Sequence, residues 1–218
     1  MDFNLQAYQA DHLLHLSVKA GRRLSILENA THRWLEIDGV VQSAMSLAQP
    51  GHLCLPHQQQ IAEQLPAQAT RVLELGLGGG DLTRNLAMRW PDAHRDCVDL
   101  DAEILTLFQQ FFQPAQQRPP QLHHADALHF LLESREHYDL VLLDLFSQDG
   151  NPLLLFQAPL YQALAQRLGG TLIINLLPRT RLELEQALRL AWEWIGPTEA
   201  HAVPGYRNVI LHSTRVIP

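Results

Sequence analysis

The chain has 218 residues, 46% of them hydrophobic and 18% charged, and a formal net charge of −7. This is one good-sized domain, or a domain with a small attachment, and it needs no disulfide or metal to fold. Lys+Arg 16 against Asp+Glu 23 argues against a nucleic-acid partner, which usually demands a basic face, and no apolar run reaches the ~18 residues of a membrane span. The two cysteines, Cys54 and Cys97, have neither zinc nor C-x-x-C spacing and suit a reducing compartment. No charged-then-apolar leader opens the sequence, so a cytoplasmic protein is expected.

Over residues 1–65 short apolar runs, Leu24–Glu28 and Trp34–Ile37, are separated by polar residues. Asp38-Gly39 is a turn signal before Val40-Val41. This predicts a small β-meander, and after Pro50-Gly51 a short helix from His57 to Leu65. From residue 66 to 218 the pattern becomes strand, helix, strand, helix. Strands are predicted at Arg71–Leu75, Asp96–Leu100, Gln121–His124, Leu140–Leu145 and Thr171–Leu176. The apolar stretch Leu140-Val141-Leu142-Leu143 is what a parallel strand buried on both faces requires. Helices are predicted for Asp81–Trp90, which stops before Pro91, and for Ala102–Phe112, whose Ile104, Leu105, Phe108, Phe111 and Phe112 form a core stripe. Thr180 and Glu183 form a capping box opening a helix with Leu184, Leu188, Ala191, Trp192 and Ile195 on its apolar side. Ala200–Val203 and Asn208–His212 close the chain as an antiparallel hairpin. The expected fold is α/β, a mainly parallel Rossmann-like sheet preceded by the small β-domain.

The most informative stretch is Val72-Leu73-Glu74-Leu75-Gly76-Leu77-Gly78-Gly79-Gly80-Asp81. An apolar strand runs into glycines, then into a helix whose free N–H groups face the turn, as a nucleotide-type pocket requires. Ligands of such sheets bind at the carboxyl ends of the strands, where Glu74, Asp99, Asp126 and Asp144 fall. Asp99 is placed to accept hydrogen bonds from a ribose, and Asp101 to cap the next helix. Asp126, beside Ala127, either receives an adenine amino group or is a helix cap. Asp144, between Leu143 and Leu145-Phe146, is a carboxylate whose apolar setting calls for a partner or a function. His123 and His124 are adjacent on a strand and point to opposite faces, so with Asp126 and His129 they make a poor metal site, and no metal is expected.

Glu74-x-Gly76-x-Gly78-x-Gly80 resembles the first motif of class I S-adenosylmethionine-dependent methyltransferases. The wider chain, roughly residues 20 to 213, resembles the spermidine synthase family. Asp38-Gly39-Val40-Val41-Gln42 is similar to that family's "LDGVIQ", Val98-Asp99-Leu100-Asp101 to "VEID", and Tyr138-Asp139-Leu140-Val141-Leu142-Leu143-Asp144 to "YDVIIVD". His57 falls at the histidine of the family's "YHEM" helix. The resemblance implies S-adenosylmethionine, or its decarboxylated form, held by Glu74, Gly76, Gly78, Gly79, Gly80, Asp99, Leu100, Asp126, Ala127 and Asp144. It also implies Asp144 and His57 as catalytic residues, a small-molecule acceptor such as an amine, and a homodimer.

The departures bear on the reaction. Gly79 stands where the family's "GGGDGG" carries the aspartate that takes the amine of decarboxylated S-adenosylmethionine. Pro56 replaces the tyrosine of "YHEM", "DSSDP" has become Asp144-Leu145-Phe146-Ser147-Gln148, and the tyrosine of the C-terminal hairpin has no match near Ala202. An acid at 79 would repel the carboxylate of the intact cofactor by about 4 kcal/mol at ~4 Å and an effective dielectric near 20. Glycine removes that repulsion and is expected to free a backbone N–H, while Glu74 serves the α-amino group. These residues favour methyl or related group transfer. True aminopropyl transfer to a polyamine and a non-catalytic nucleotide-binding relative stay open. Residues 145 to 160 are expected to line the acceptor site, and Leu145, Phe146, Leu153, Leu154, Leu155 and Phe156 make that wall apolar.

Overall fold

The structure is a computed structural model that describes residues 8–146 and 150–215. Ser147 and Gln148 of the altered acceptor segment lie outside the described residues. Two sheets form. In the first, β1 (His12–Lys19), β2 (Arg22–Glu28), β3 (His32–Ile37) and β4 (Val40–Ser46) run antiparallel in chain order. Asp38 and Gly39 both take positive φ, 51° and 78°, and so form the turn joining β3 to β4 that the sequence announces. Strand β1 is an addition to the predicted elements. Its Leu13, Leu16 and Val18 are more than half exposed, so no buried alternation marks it in the sequence.

The second sheet contains β5 (Arg71–Leu75), β6 (His94–Asp99), β7 (Gln121–His124), β8 (Tyr138–Leu143), β9 (Leu168–Leu176), β10 (Thr198–Ala202) and β11 (Val209–Thr214). Its order is β10-β11-β9-β8-β5-β6-β7. Strands β5 to β9 are parallel, and the hairpin β10–β11 adds antiparallel at one edge. Around the sheet lie α1 (Pro56–Glu63), α2 (Asp81–Arg89), α3 (Ala102–Leu107), α4 (Ala127–Glu133), α5 (Ala158–Arg167) and α6 (Arg181–Trp194). α4 and α5 go beyond the predicted helices. The α/β expectation holds, with strand order reversing between β5 and β8, the place where such sheets open a ligand crevice.

Strand β8 shows why the sheet is buried on both sides. Val141 and Leu143 join the cluster with Leu131, Leu164 and Ala187, whereas Leu140 and Leu142 join the one with Ile61, Leu82 and Ile173. On the small sheet, Leu24, Ile26, Leu35 and Met45 pack with Leu77, Cys97, Ile104, Leu105, Phe108 and Phe112. That cluster clamps the β-meander over the glycine loop and α3.

Three local expectations change in detail. The helix begun at Ala102 passes into a single π turn, Phe108–Phe112, in which Phe108 and Phe112 are buried as the core stripe requires. Thr180 Oγ1 accepts from the Glu183 N–H at 3.2 Å, and the Glu183 carboxylate reaches back to the Arg179 N–H at 2.7 Å. Trp192, however, is 62% exposed. The buried seam of α6 is Ala187, Leu190, Ala191 and Ile195. Trp192 lies one position past Ala191, about 100° round the helix.

Candidate functional site

The glycine loop bends where three backbones meet. Gly76, Gly78 and Gly80 have φ of +91°, +55° and +73°, a region that L side chains rarely enter. A Cβ at Gly76 would sit 2.3 Å from the Asp144 carbonyl oxygen, so only glycine lets the end of β5 pass the end of β8. At Gly80 a Cβ would strike the Phe108 ring at 2.2 Å, so the π turn of α3 supports the loop from below. Gly80 opens α2 with no side-chain cap.

The small sheet holds the loop from the other side. Ser43 Oγ on β4 accepts a hydrogen bond from the Gly79 N–H at 2.7 Å. The N–H expected to be free at position 79 is therefore engaged. A Cβ at 79 would also lie 2.6 Å from the Ser43 Cβ, so the space for a side chain there is closed. The neighbouring Ala44 N–H donates to the Asp81 carboxylate at 3.1 Å, and Gln58 Nε2 on α1 donates to the same oxygen at 2.7 Å. Arg84, 1% exposed, pairs with Asp81 and bonds the carbonyls of Pro50 and Gly79. Ser43, Gln58, Asp81 and Arg84 thus fix the loop. The sequence reading missed them as a group, because only the tertiary fold joins β4, α1 and α2.

Two carboxylates stand at the strand ends flanking the order reversal. Glu74, 2% exposed, has its pKa pushed up to about 8. Burial is the main cause, Asp144 and Asp81 add to it, and Cys97 and Arg84 oppose it. Cys97 Sγ lies 3.6 Å from the Glu74 carboxylate. The Asp144 carboxyl is also raised, by burial and by Asp81, against the opposing pull of His57 and of a hydrogen bond from Asn175. Asn175 Nδ2 donates to Asp144 at 2.7 Å, and Asn208 Nδ2 donates to Asn175 Oδ1 at 3.0 Å. This relay orients Asp144 from β9 and from the start of β11. Neither asparagine is marked by a motif. His57, on the first turn of α1, is half-buried and its charge acts on Asp144, so the pair expected from the sequence is brought together.

The remaining predicted residues are arranged differently. Asp99 uses Oδ2 to accept from the Leu77 N–H at 3.0 Å and Oδ1 to accept from the Asp101 N–H at 2.9 Å. Burial raises its pKa, and bonds from the Asp101, Leu77 and Gly78 N–H groups oppose the rise. It buttresses the glycine loop. Leu100 beside it is 70% exposed. Asp101 caps α3, accepting from the Glu103 N–H at 2.8 Å. Asp126 caps α4, accepting from the His129 N–H at 3.0 Å, and Ala127 is buried as the first residue of that helix. Of the two readings of Asp126 the structure supplies the cap.

The histidines near β7 take separate partners: His123 bonds Asp96 at 2.8 Å, His124 the Leu100 carbonyl at 3.0 Å, and His129 lies by Glu133 at 3.2 Å. Of the apolar wall, Leu155 is fully buried in the core, and Phe146 and Leu153 are exposed. No helix among the described residues is long and apolar enough to cross a membrane.

The comparisons agree with this architecture. A family described as a methyltransferase domain matches residues 72–155, from β5 past β8. A polyamine aminopropyltransferase of Pseudomonas aeruginosa is 28% identical over 187 residues, covering 82% of this chain. The chain spans 64% of that relative's length. A probable spermidine synthase of Corynebacterium glutamicum superposes with a TM-score of 0.80 at 20% identity, over 92% of this chain and 79% of that one. Human methyltransferase-like protein 13, solved with SAH, superposes with a TM-score of 0.67 at 22% identity, over 76% of this chain and 84% of that one. The chain is spermidine synthase-like in sequence and has the class I methyltransferase fold.

Proposed function

We propose that the chain is an S-adenosylmethionine-binding transferase acting on a small nucleophile such as an amine, with methyl or related group transfer favoured over aminopropyl transfer. The observation that carries this reading is the closed space at Gly79: Ser43 occupies the volume where an amine-binding carboxylate would stand. The cradle fits an adenosyl sulfonium. The tight turn at Gly76, Gly78 and Gly80 sets the loop over the ends of the strands, Glu74 faces a cation, Asp99 and Leu100 flank the sugar and base, and Asp126 and Ala127 border the base. When bound, that group supplies an electrophilic carbon.

The chain's own residues do the rest mostly by positioning. Asp144, held by Asn175, orients the incoming nucleophile and accepts its proton, for which a raised pKa is suited. His57 assists from α1. Aminopropyl transfer has support of its own in the 28% identity to the polyamine aminopropyltransferase and in the retained Asp144 and His57. A homodimer is proposed through the exposed Leu13, Leu16 and Val18 of the edge strand β1, which light scattering in solution would check.

Incubation with intact or decarboxylated S-adenosylmethionine and a panel of amines, read by mass spectrometry, separates the readings. Methylated product is expected. Aminopropylated product with methylthioadenosine would establish the second reading. Retention of cofactor without product would establish a binding protein.

A further inference from the structure

The hairpin at the sheet edge carries a side-chain cluster that the transferase reading does not use. Strand β10 places Glu199 and His201 two residues apart, on one face. The antiparallel register sets His212 of β11 directly opposite Glu199. One ligand atom from each of the three lies within 4.8 Å of the others. The Glu199 carboxylate is 3.6 Å from His201 Nε2, and the two imidazole rings are centred 6.5 Å apart. His201 Nε2 is shielded from solvent and has no hydrogen-bond partner among the described residues. A shielded ring nitrogen whose nearest carboxylate stands beyond hydrogen-bond reach is costly unless something fills the gap. The cluster sits four residues along β11 from Asn208, roughly 13 Å of strand away from the Asp144 relay.

The geometry points to a divalent-cation site of the Zn2+ class, formed by Glu199, His201 and His212, that ties the outermost strand β10 to β11. Two imidazoles and a carboxylate with a fourth position left to water are a donor set that zinc accepts. Tetrahedral coordination needs donor atoms about 3.4 Å apart. Glu199 and His201 already stand near that separation, and rotation of His212 about its side-chain bonds brings the third within reach. The ligands are 13 positions apart at the extreme, which is why metal spacing is invisible in the sequence.

The test is calorimetric titration of the chelator-treated protein with ZnCl2, with Co2+ absorption as a second readout. One ion per chain is expected, with a visible cobalt spectrum of four-coordinate type and a rise in melting temperature. His201→Ala and His212→Ala should each weaken binding about tenfold or more. His123→Ala, which removes a partner of the separate Asp96 cluster, should leave binding unchanged. Far-UV circular dichroism verifies that the variants fold. Absence of zinc binding in the parent protein overturns the site, and so does unchanged binding in the His201→Ala/His212→Ala double variant. Neither outcome depends on the transferase reading, because no cofactor or acceptor is present.

Discussion

Ser43 Oγ accepts the Gly79 N–H at 2.7 Å, and through that bond the small sheet decides what the glycine loop can offer a ligand. The contact is both steric and polar. It removes the donor at 79 and fills the volume above it.

Replacing Ser43 with Ala leaves the buried Gly79 N–H without an acceptor and should cost about 1–3 kcal/mol in urea unfolding. Gly79→Asp alone should destabilise further, because its Cβ would come within 2.6 Å of the Ser43 Cβ. The double variant Ser43→Gly/Gly79→Asp should recover stability and shift binding toward decarboxylated S-adenosylmethionine. Calorimetry with both forms checks this, and an unchanged preference would show that position 79 does not select the cofactor.

Asp144→Asn should lower turnover by on the order of 10²–10⁴ and leave cofactor affinity within a few fold. Asn175→Ala, which frees Asp144 from its 2.7 Å anchor, should show a smaller loss in kcat. Steady-state kinetics beside direct binding measurement separates the two effects. Full activity in Asp144→Asn would remove it from the chemistry.

Glu74 makes stability and binding depend on pH in a stated direction. Its folded pKa of about 8 lies above the usual 4.5, so the native state holds the proton more tightly than the unfolded chain. Its contribution to stability is complete below about 4.5 and is lost as pH rises through about 8. Glu74→Gln should flatten that decline and melt higher than the parent at pH 9. A cation bound against Glu74 should in turn expel the proton. Cofactor affinity is then expected to rise by up to roughly tenfold per pH unit below 8, with about one proton released in buffers of different ionisation enthalpy.

The Asp81–Arg84 pair is the buried charge of the loop. Arg84→Met should cost about 3–5 kcal/mol, because the interior Asp81 loses its ionic partner and keeps Gln58 and the Ala44 N–H. Chemical denaturation measures this. A loss near zero would mean that the pair contributes nothing net to stability.

The parallel core was legible because its signals are local. Leu140–Leu143 is uniformly apolar since both faces of β8 are covered, and the strand, glycines and Asp81 helix follow one another within a dozen residues. Asp38-Gly39 likewise specifies its turn through the positive φ that these residues tolerate. Trp192 misled because periodicity marks an apolar side of a helix but not which flank of that side the neighbouring α5 and β10 cover.

The sequence by itself determined the α/β alternation, the bend after β5 and the carboxylates at the strand ends, since backbone propensity and burial pattern act over a few neighbouring residues. Only the tertiary structure decided how those groups are used. Ser43 meets Gly79 across 36 positions, Asn175 meets Asp144 across 31, and Asp99 meets the Leu77 N–H of the glycine loop across 22. A hydrogen bond between distant segments depends on strand register and sheet packing. Those are fixed when the whole core closes, not by the residues on either side of each partner.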